Sequence, residues 1–593
     1  MSKSVFIVEK NDAAETIASR LGSYQTVEEK KANIKYYKVG SDIFVPARGH
    51  LMKIDIKFKR KGSLDSLPVN EYNWVVSRGE KDRIDFIKKL INEADRAVVA
   101  TDWDREGEVI GYNIYKYALG DSNPKKIDRM YYSSLSASEI RDSYNNIKKM
   151  SPSLLSQGLA RNISDAVIGL NLTKGLTMRF REIYKNLGQS ISIGRVQSPL
   201  LSHIQEIVVA KINYDGVPNE VIDNTNVEYF IKFSDDFMLP VKISAPEIEF
   251  VGYYDDQAEI KQAEPLLSTD DVMQQFPLPP KDIMDVLENI YLKGWTTYPR
   301  TTSRYVRNIS SLTALRKEIK NIPETFSEEN TPKYRVESAH PDAIIPTVEG
   351  IQAYYSGKIT GRERFMFEFI LSSIIRSFAP KLIVNRKIAR FVANGEEHDF
   401  VWKEDIVNNG DVTKYRELVS YPDIETGKYP IVQIKTIQSK TKLYPRFDID
   451  MSVPSETDVV GWMSRFGLGT EATRQSFVPL LEERHYISNM IPSQLGEIVS
   501  KIINEIGLTP ELTAKIENDI SSLKTLDDLP AFEETIKEDT SQFIEKLKTV
   551  DVPRMKCPKC GSDSELITLF LKNQGQNLLM ISCPVCKKLY NIG

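Results

Sequence analysis

Residues 96–108 read RAVVATDWDREGE. Arg96–Thr101 (RAVVAT) is a short apolar run of the kind that forms a buried strand. It ends directly in three carboxylates, Asp102, Asp104 and Glu106, at alternate positions. Such a strand must be covered along its length and open at its carboxyl end. Ser4–Val8 (SVFIV) reads the same way and ends in Glu9 and Lys10. Asn11 or Asp12 then caps a helix running through Ala14, Ile17, Ala18 and Leu21, which Gly22 ends. After the acidic run a further helix carries Val109, Ile110, Ile114, Tyr115 and Ala118. Buried strands alternating with helices are an α/β pattern, and in parallel α/β sheets sites form at the carboxyl ends of strands.

Three clustered carboxylates repel one another unless a cation holds them. Hard oxygen ligands of this kind suit Mg²⁺, which keeps several waters and shares a substrate phosphate. Glu9, on the neighbouring strand, faces the same crevice. A carboxylate among carboxylates has its pKa pushed up and can hold a proton near neutral pH, which suits Glu9 to general acid work. Lys10 beside it can stabilise phosphate charge. The alternative for the acidic run is a solvated turn that caps the next helix.

The rest of the chain divides by pattern. Residues 1–150 are α/β, 151–215 helical, 216–275 strand-rich, 276–384 helical, 385–445 strand-rich and 446–548 helical, with 549–593 as a small terminal unit. Val227–Phe233 (VEYFIKF) and Tyr429–Thr436 (YPIVQIKT) typify the strand-rich stretches. The order is nested, as if the chain leaves a base, loops out and returns. The fold class is thus multi-domain α/β with additional α and β lobes.

All four cysteines fall in the terminal unit, as two C-x2-C pairs, Cys557/Cys560 and Cys583/Cys586. Between them Glu565–Leu571 and Asn577–Ile581 read as strands and Lys572–Gln576 as their turn. Such a hairpin brings the pairs together as a zinc ribbon with four thiolate ligands for one structural Zn²⁺. Two disulfides are the alternative. Nothing at the N-terminus resembles an export signal, so a cytoplasmic chain with reduced thiols is expected.

Asp and Glu number 82 against 78 Lys and Arg, a net charge of −4. Bulk positive charge therefore cannot coat a nucleic acid, and any polyanion must be held by local basic clusters. The run Lys57-Phe-Lys-Arg-Lys61 is one basic cluster, read as a solvated face. No stretch has the ~20 apolar residues of a membrane helix. No G-x4-G-K-[ST] loop is present, so no P-loop ATPase is indicated.

The second notable segment is Gly294-Trp-Thr-Thr-Tyr-Pro-Arg-Thr-Thr-Ser-Arg-Tyr305. Tyr298 is one tyrosine among 27, and only its company singles it out. Pro299 fixes a turn, Arg300 and Arg304 supply cations, and Thr301, Thr302 and Ser303 supply hydroxyls. A phenol attacking a phosphodiester needs such donors for the developing charge. Trp295 and Tyr305 read as core residues.

Asp102-x-Asp-x-Glu-Gly with a preceding strand-end Glu resembles the toprim domain. The Tyr298 segment resembles the active-site segment of type IA DNA topoisomerases. Other segments follow in the family's order: Ser133–Leu135 with the helix Ala137–Tyr144, similar to the strand and helix that close the toprim lobe; Ala160–Thr173; Ser192-Ile-Gly-Arg-Val-Gln-Ser-Pro199; and Gly467-Leu-Gly-Thr-Glu-Ala-Thr-Arg474 with Leu481–Ile487. The form Val8-Glu-Lys10 and the compact length are similar to the topoisomerase III branch. Two positions depart from the family pattern. Asn11 stands where that branch has Pro, and His340 lies one residue farther from Thr347.

The resemblance implies a toprim α/β domain, a toroidal core of helical and strand-rich lobes, and a C-terminal zinc ribbon. It implies that Tyr298 attacks one DNA strand and becomes joined to its 5′ phosphate. Glu9 protonates the departing 3′ oxygen, while Arg300 and Lys10 stabilise the phosphate. Asp102, Asp104 and Glu106, with Glu9, hold Mg²⁺. Arg161, Asp165, Ser192, Arg195, Gln197, His340, Thr473 and Arg474 contact DNA. No ATP is required, because one phosphoester is exchanged for another. The implied partners are single-stranded and negatively supercoiled DNA, and a helicase, acting on a monomer with no membrane association. The alternatives are another toprim enzyme, such as a primase or nuclease, and a non-catalytic toprim and zinc-ribbon protein that binds nucleic acid.

Overall fold

A computed structural model describes residues 3–59, 62–120, 127–216, 226–234, 237–241, 243, 245–261, 264–307, 309–331, 340–380, 382–406, 420–436, 454–471, 473–571 and 576–592. The N-terminal part is a seven-stranded sheet in the order Gln25–Glu29, Ile34–Val39, Asp42–Pro46, Ser4–Val8, Arg96–Ala100, Asp128–Arg129 and Lys148–Lys149. Its four central strands run parallel and its margins antiparallel. Side chains alternate across the sheet. Val5 and Ile7 pack on one face with the helices Lys81–Asn92 and Arg105–Leu119. Phe6 and Val8 pack on the other with Asn11–Leu21 and Ala137–Asn145. Val8 lies opposite Ala100 in the register, so Glu9 and the acidic run leave the sheet at the same end.

Two local expectations change. The first helix begins at Asn11, with Lys10 in the capping position and no side-chain cap, so neither Asn11 nor Asp12 caps it. Ser133–Leu135 is not a strand of the sheet; Ser134 forms an isolated bridge to Thr297 instead.

The 32-residue helix Pro152–Ile183 contains the Ala160–Thr173 segment and packs along the late helix Leu529–Thr549. It also crosses the start of Arg105–Leu119 closely, since a Cβ on Gly158 would lie 2.5 Å from the Arg105 carbonyl oxygen. One continuous apolar core joins these helices, one face of the α/β sheet and the terminal ribbon.

The two strand-rich stretches form a single antiparallel sheet. Its order is Met238–Val241, Asn226–Lys232, Gly427–Thr436, Glu247–Lys261, Leu382–Ala393 and Glu396–Ile406. A returning strand, Gly427–Thr436, thus sits between two outgoing ones, and hydrogen bonds tie the two legs of the chain together. Trp402 is buried at the centre of its apolar face. Between the legs, the helices Pro280–Leu292, Ile309–Glu318, Val348–Tyr355 and Gly361–Ser377 surround two further apolar cores.

In the ribbon, Asp563–Leu571 pairs antiparallel with Gln576–Cys583, the expected hairpin pairing. Residues 572–575 of the expected turn lie outside the described residues, as do Arg60 and Lys61 of the basic run and Ala472. The Met555 amide donates to the Tyr184 hydroxyl, which donates to the Pro553 carbonyl, seating the ribbon on the long helix. Among the described residues, no helix is long and apolar enough to cross a membrane.

Candidate active site

The Tyr298 segment reaches the acids because backbone pairing carries it there. Gly294 turns the chain after Pro280–Leu292 with a φ of 77°, and a Cβ there would lie 2.7 Å from the Leu135 carbonyl oxygen. Thr296 then bridges to Pro346 and Thr297 to Ser134, and the Tyr298 amide donates to the Ser133 carbonyl at 2.8 Å. The tyrosine is therefore held between its own lobe and the α/β domain. Its ring packs with Tyr132, Leu135 and Tyr291 in the core of that domain.

The Tyr298 hydroxyl donates to Oδ2 of Asp104 at 2.6 Å. The neighbouring Tyr291 hydroxyl donates to Oδ1 of Asp102 at 3.2 Å. Burial pushes the Tyr298 phenol well above its usual pKa, and the Asp104 and Asp102 charges push it further; Arg300 opposes them. Glu9 is pushed well above the usual carboxylate range, first by burial in the crevice and then by Asp102 and Asp104. Asp102 is raised for the same first reason. Its Oδ2 is buried without a hydrogen-bond partner among the described residues.

Asp104 has two tasks. Its Oδ1 accepts from the Gly107 amide at 2.7 Å, capping Arg105–Leu119, while its other oxygen takes the phenol. The capping alternative and the site reading therefore both hold for this residue. Gly107 is required by crowding, since a Cβ would lie 2.1 Å from the Asp102 carbonyl oxygen.

Glu106 departs from the expected triad. It pairs with His50 at 2.9 Å and lies near Asn162 and Arg161. The reason is helical geometry: beyond Asp104 the backbone is helical, and residues two apart then point to nearly opposite sides. Among the described residues, Asp102, Asp104 and Glu106 do not converge as a ready metal cage, whereas the four cysteines do. Those ligand atoms lie within 4.8 Å of one another, with Cys557 and Cys586 sulfurs 3.9 Å apart and Cys560 and Cys583 sulfurs 3.7 Å apart. All four thiols are free, so the two-disulfide alternative is not adopted.

The cations follow a similar division. Arg300 and Lys10 both donate to Oε1 of Glu288. Arg304 instead forms a bidentate pair with Asp271 at 2.6 and 2.7 Å. Thr301 and Ser303 donate to the carbonyls of His340 and Pro341, so they fold the segment. His340 is fully buried, with its ring centroid 5.1 Å from that of Tyr298. It therefore lies beside the candidate nucleophile despite its shifted position. Burial lowers its pKa to about 4.

The expected DNA-contacting arginines are buried and already paired. Arg195 donates to Asp165 at 2.7 Å and to Glu517 at 2.6 Å. Nη1 of Arg474 donates to both carboxylate oxygens of Asp270, at 2.8 and 2.9 Å. Arg161 donates to the hydroxyls of Thr470 and Thr473. A buried guanidinium needs such partners; Arg195 and Arg161 find theirs within the helical base, and Arg474 ties that base to the helix Thr269–Gln275. Gln197 is buried, and the Ser192 carbonyl accepts from Tyr486.

Several important residues carry no local sequence signal. Glu288 is one acid on an ordinary amphipathic helix. Arg129 lies beneath the acidic turn, donating to the carbonyls of Val99, Thr101, Asp102 and Met130 and to Glu108. Trp103 packs on Tyr131 and under the Arg307 guanidinium, 4.3 Å from its ring centroid.

Comparison with known proteins agrees with this construction. The Toprim domain model matches residues 4–135, and a DNA topoisomerase model matches residues 250–525. The chain is 25% identical to DNA topoisomerase 1 of Pyrococcus horikoshii, over 99% of this chain and 93% of that protein. It is 23% identical to DNA topoisomerase 3 of Pasteurella multocida, over 88% of this chain and 91% of that protein. Relatives of both names stand at similar identity, so they do not separate the topoisomerase III branch from the rest. The fold is similar to that of full-length topoisomerase I from Thermotoga maritima, with a TM-score of 0.63 and 20% identity over 99% of this chain and 97% of that one. With both models matched in order and relatives aligned along nearly their whole lengths, the chain belongs to the type IA DNA topoisomerases.

Proposed function

We propose that this topoisomerase cuts one DNA strand with Tyr298 and keeps the 5′ phosphate on the phenol oxygen until religation. One observation carries the reading: the Tyr298 hydroxyl, from one lobe, donates to Asp104 at the strand end of another. The phenol is strongly disfavoured as phenolate by burial and by its acidic neighbours. Its proton must therefore leave as the P–O bond forms, and Asp104 is already in hydrogen-bond contact to guide it. Glu9, favoured as the neutral acid by burial and by Asp102 and Asp104, protonates the departing 3′ oxygen and recovers that proton when the strand is resealed. Arg300 and Lys10 balance charge on the phosphate. One phosphoester replaces another at each step, so torsional stress in the DNA supplies the direction.

The donor chemistry suits a divalent cation, which would have to draw the carboxylates together on binding. Asp102 carries an orphaned buried oxygen, and the repulsion among Asp102, Asp104 and Glu9 is what bound Mg²⁺ would relieve. Asp102 and Asp104 would hold it, Glu9 joining them only while it is ionised, and its charge would help to position the phosphodiester. Glu106 joins them only if it leaves His50. Four converging thiols suit Zn²⁺ at a structural site. The substrate is single-stranded DNA, including strands exposed by negative supercoiling.

Denaturant trapping on end-labelled single-stranded DNA tests the reading. Wild-type protein should retain the label on the 5′-phosphate side of the break, and Tyr298→Phe should retain none while still binding DNA. Covalent capture by the Phe variant would overturn the assignment.

A further inference from the structure

Glu288, on the helix Pro280–Leu292, stands between the two cations assigned to the phosphate. A single oxygen, Oε1, accepts from the Lys10 ammonium at 2.8 Å and from Nη2 of Arg300. Lys10 comes from the end of a sheet strand and Arg300 from the tyrosine segment, so the carboxylate ties two lobes together. All three side chains are only partly exposed, at 30%, 26% and 22% for Lys10, Glu288 and Arg300. Nε of Arg300 is buried without a hydrogen-bond partner among the described residues. The guanidinium thus holds one acceptor and retains a donor for another.

An ammonium and a guanidinium converging on one anionic oxygen is how such a pair grips a non-bridging phosphate oxygen. We infer that Glu288 is an internal stand-in for the scissile phosphate. It neutralises Lys10 and Arg300 while DNA is absent, gives them up when the phosphate arrives, and recovers them as the resealed strand departs. The inference rests on the reading of Lys10 and Arg300 as phosphate ligands. Two anionic oxygens cannot occupy the same place between the cations, and like charges this close repel. Glu288 is therefore a positioning residue that weakens strand binding in exchange for release. Burial would raise its pKa, but Arg300 and Lys10 hold it below the usual carboxylate range, so a negative charge is present at neutral pH.

The test uses full-length protein carrying Tyr298→Phe, which cannot cut, and measures affinity for a short labelled single-stranded DNA across salt concentrations. Adding Glu288→Gln or Glu288→Ala should tighten binding by about 10-fold. It should also steepen the dependence of log affinity on log salt by about 0.7, the increment for one more neutralised phosphate on a single strand. Glu288→Asp, which keeps the charge, should stay near the parent. Misfolding weakens binding, so it cannot produce the expected sign. Equal or weaker binding by both the Gln and Ala variants would overturn the inference and make Glu288 a fixed support. Arg300→Ala in the same background separates the two readings. It should weaken binding by about 10-fold; unchanged affinity there would defeat the phosphate-ligand reading itself.

Discussion

The Tyr298 hydroxyl and Oδ2 of Asp104 lie 2.6 Å apart, although 194 positions separate the two residues in the chain. The same aspartate caps the helix Arg105–Leu119 through its other oxygen. Stability and chemistry thus meet on one side chain, and substitutions can separate them. Asp104→Asn keeps a good capping group but loses the charge; Asp104→Ala loses both. The Ala variant should be less stable by about 1 kcal/mol and the Asn variant nearly unchanged. Both should relax supercoiled DNA at least ~100-fold more slowly, in the range expected for loss of a proton-transfer group. Thermal unfolding beside a relaxation assay checks this. An Asn variant with near wild-type activity would show that the contact has no part in the reaction.

Beneath that turn, Arg129 and Glu108 form a fully buried pair 3.1 Å apart. The guanidinium also donates to three carbonyls of the strand that delivers Asp102. Arg129→Ala would leave the Glu108 carboxylate buried without its counter-ion and the Thr101 carbonyl without that donor, a loss of about 3–5 kcal/mol. Urea unfolding followed by tryptophan fluorescence should show an earlier transition, reported by Trp103 above the pair. A shift under ~1 kcal/mol would mean that water replaces the guanidinium.

Much of this organisation could be read before the structure. The strands Ser4–Val8 and Arg96–Ala100 are uninterrupted apolar runs, so their burial and the acids at their ends follow from pattern alone. The cysteine spacing likewise implied the converging thiols. Alternate spacing reads as one face of a strand, so Glu106 was grouped with Asp102 and Asp104, whereas the helix starts at Arg105 and turns Glu106 to His50. The ion-pair partners of Arg195 and Arg474 were not legible, because sequence shows a cation without its counter-ions. Glu517 lies 322 positions from Arg195 and Asp270 lies 204 from Arg474. Glu288 was not noticed for the same reason, since its partners come from two other elements.

The terminal ribbon offers a test independent of DNA. Four thiols within 4.8 Å of one another should bind one Zn²⁺ tightly. Elemental analysis of carefully purified protein should find about one zinc per chain. Cys560→Ser with Cys583→Ser should lose it and expose the ribbon to protease while the rest of the chain stays folded. Metal-free wild-type protein with a protease-resistant ribbon would rule out a structural zinc.

Histidine burial sets the acid limit of the fold. His203 stacks on Trp462 with ring centroids 3.7 Å apart, and its pKa falls to about 4, first through burial and then through Arg465. A histidine depressed in the fold binds its proton more readily in the unfolded chain. Stability from this group is complete above its ordinary pKa of about 6.5 and is lost as pH falls through about 4. The wild-type melting temperature should therefore drop between about pH 7 and about pH 4.5. His203→Gln, which cannot be protonated, should lose less over that interval, although it begins lower through the weakened stack. Melting curves that shift in parallel with pH for the two proteins would show that His203 titrates normally in the folded state.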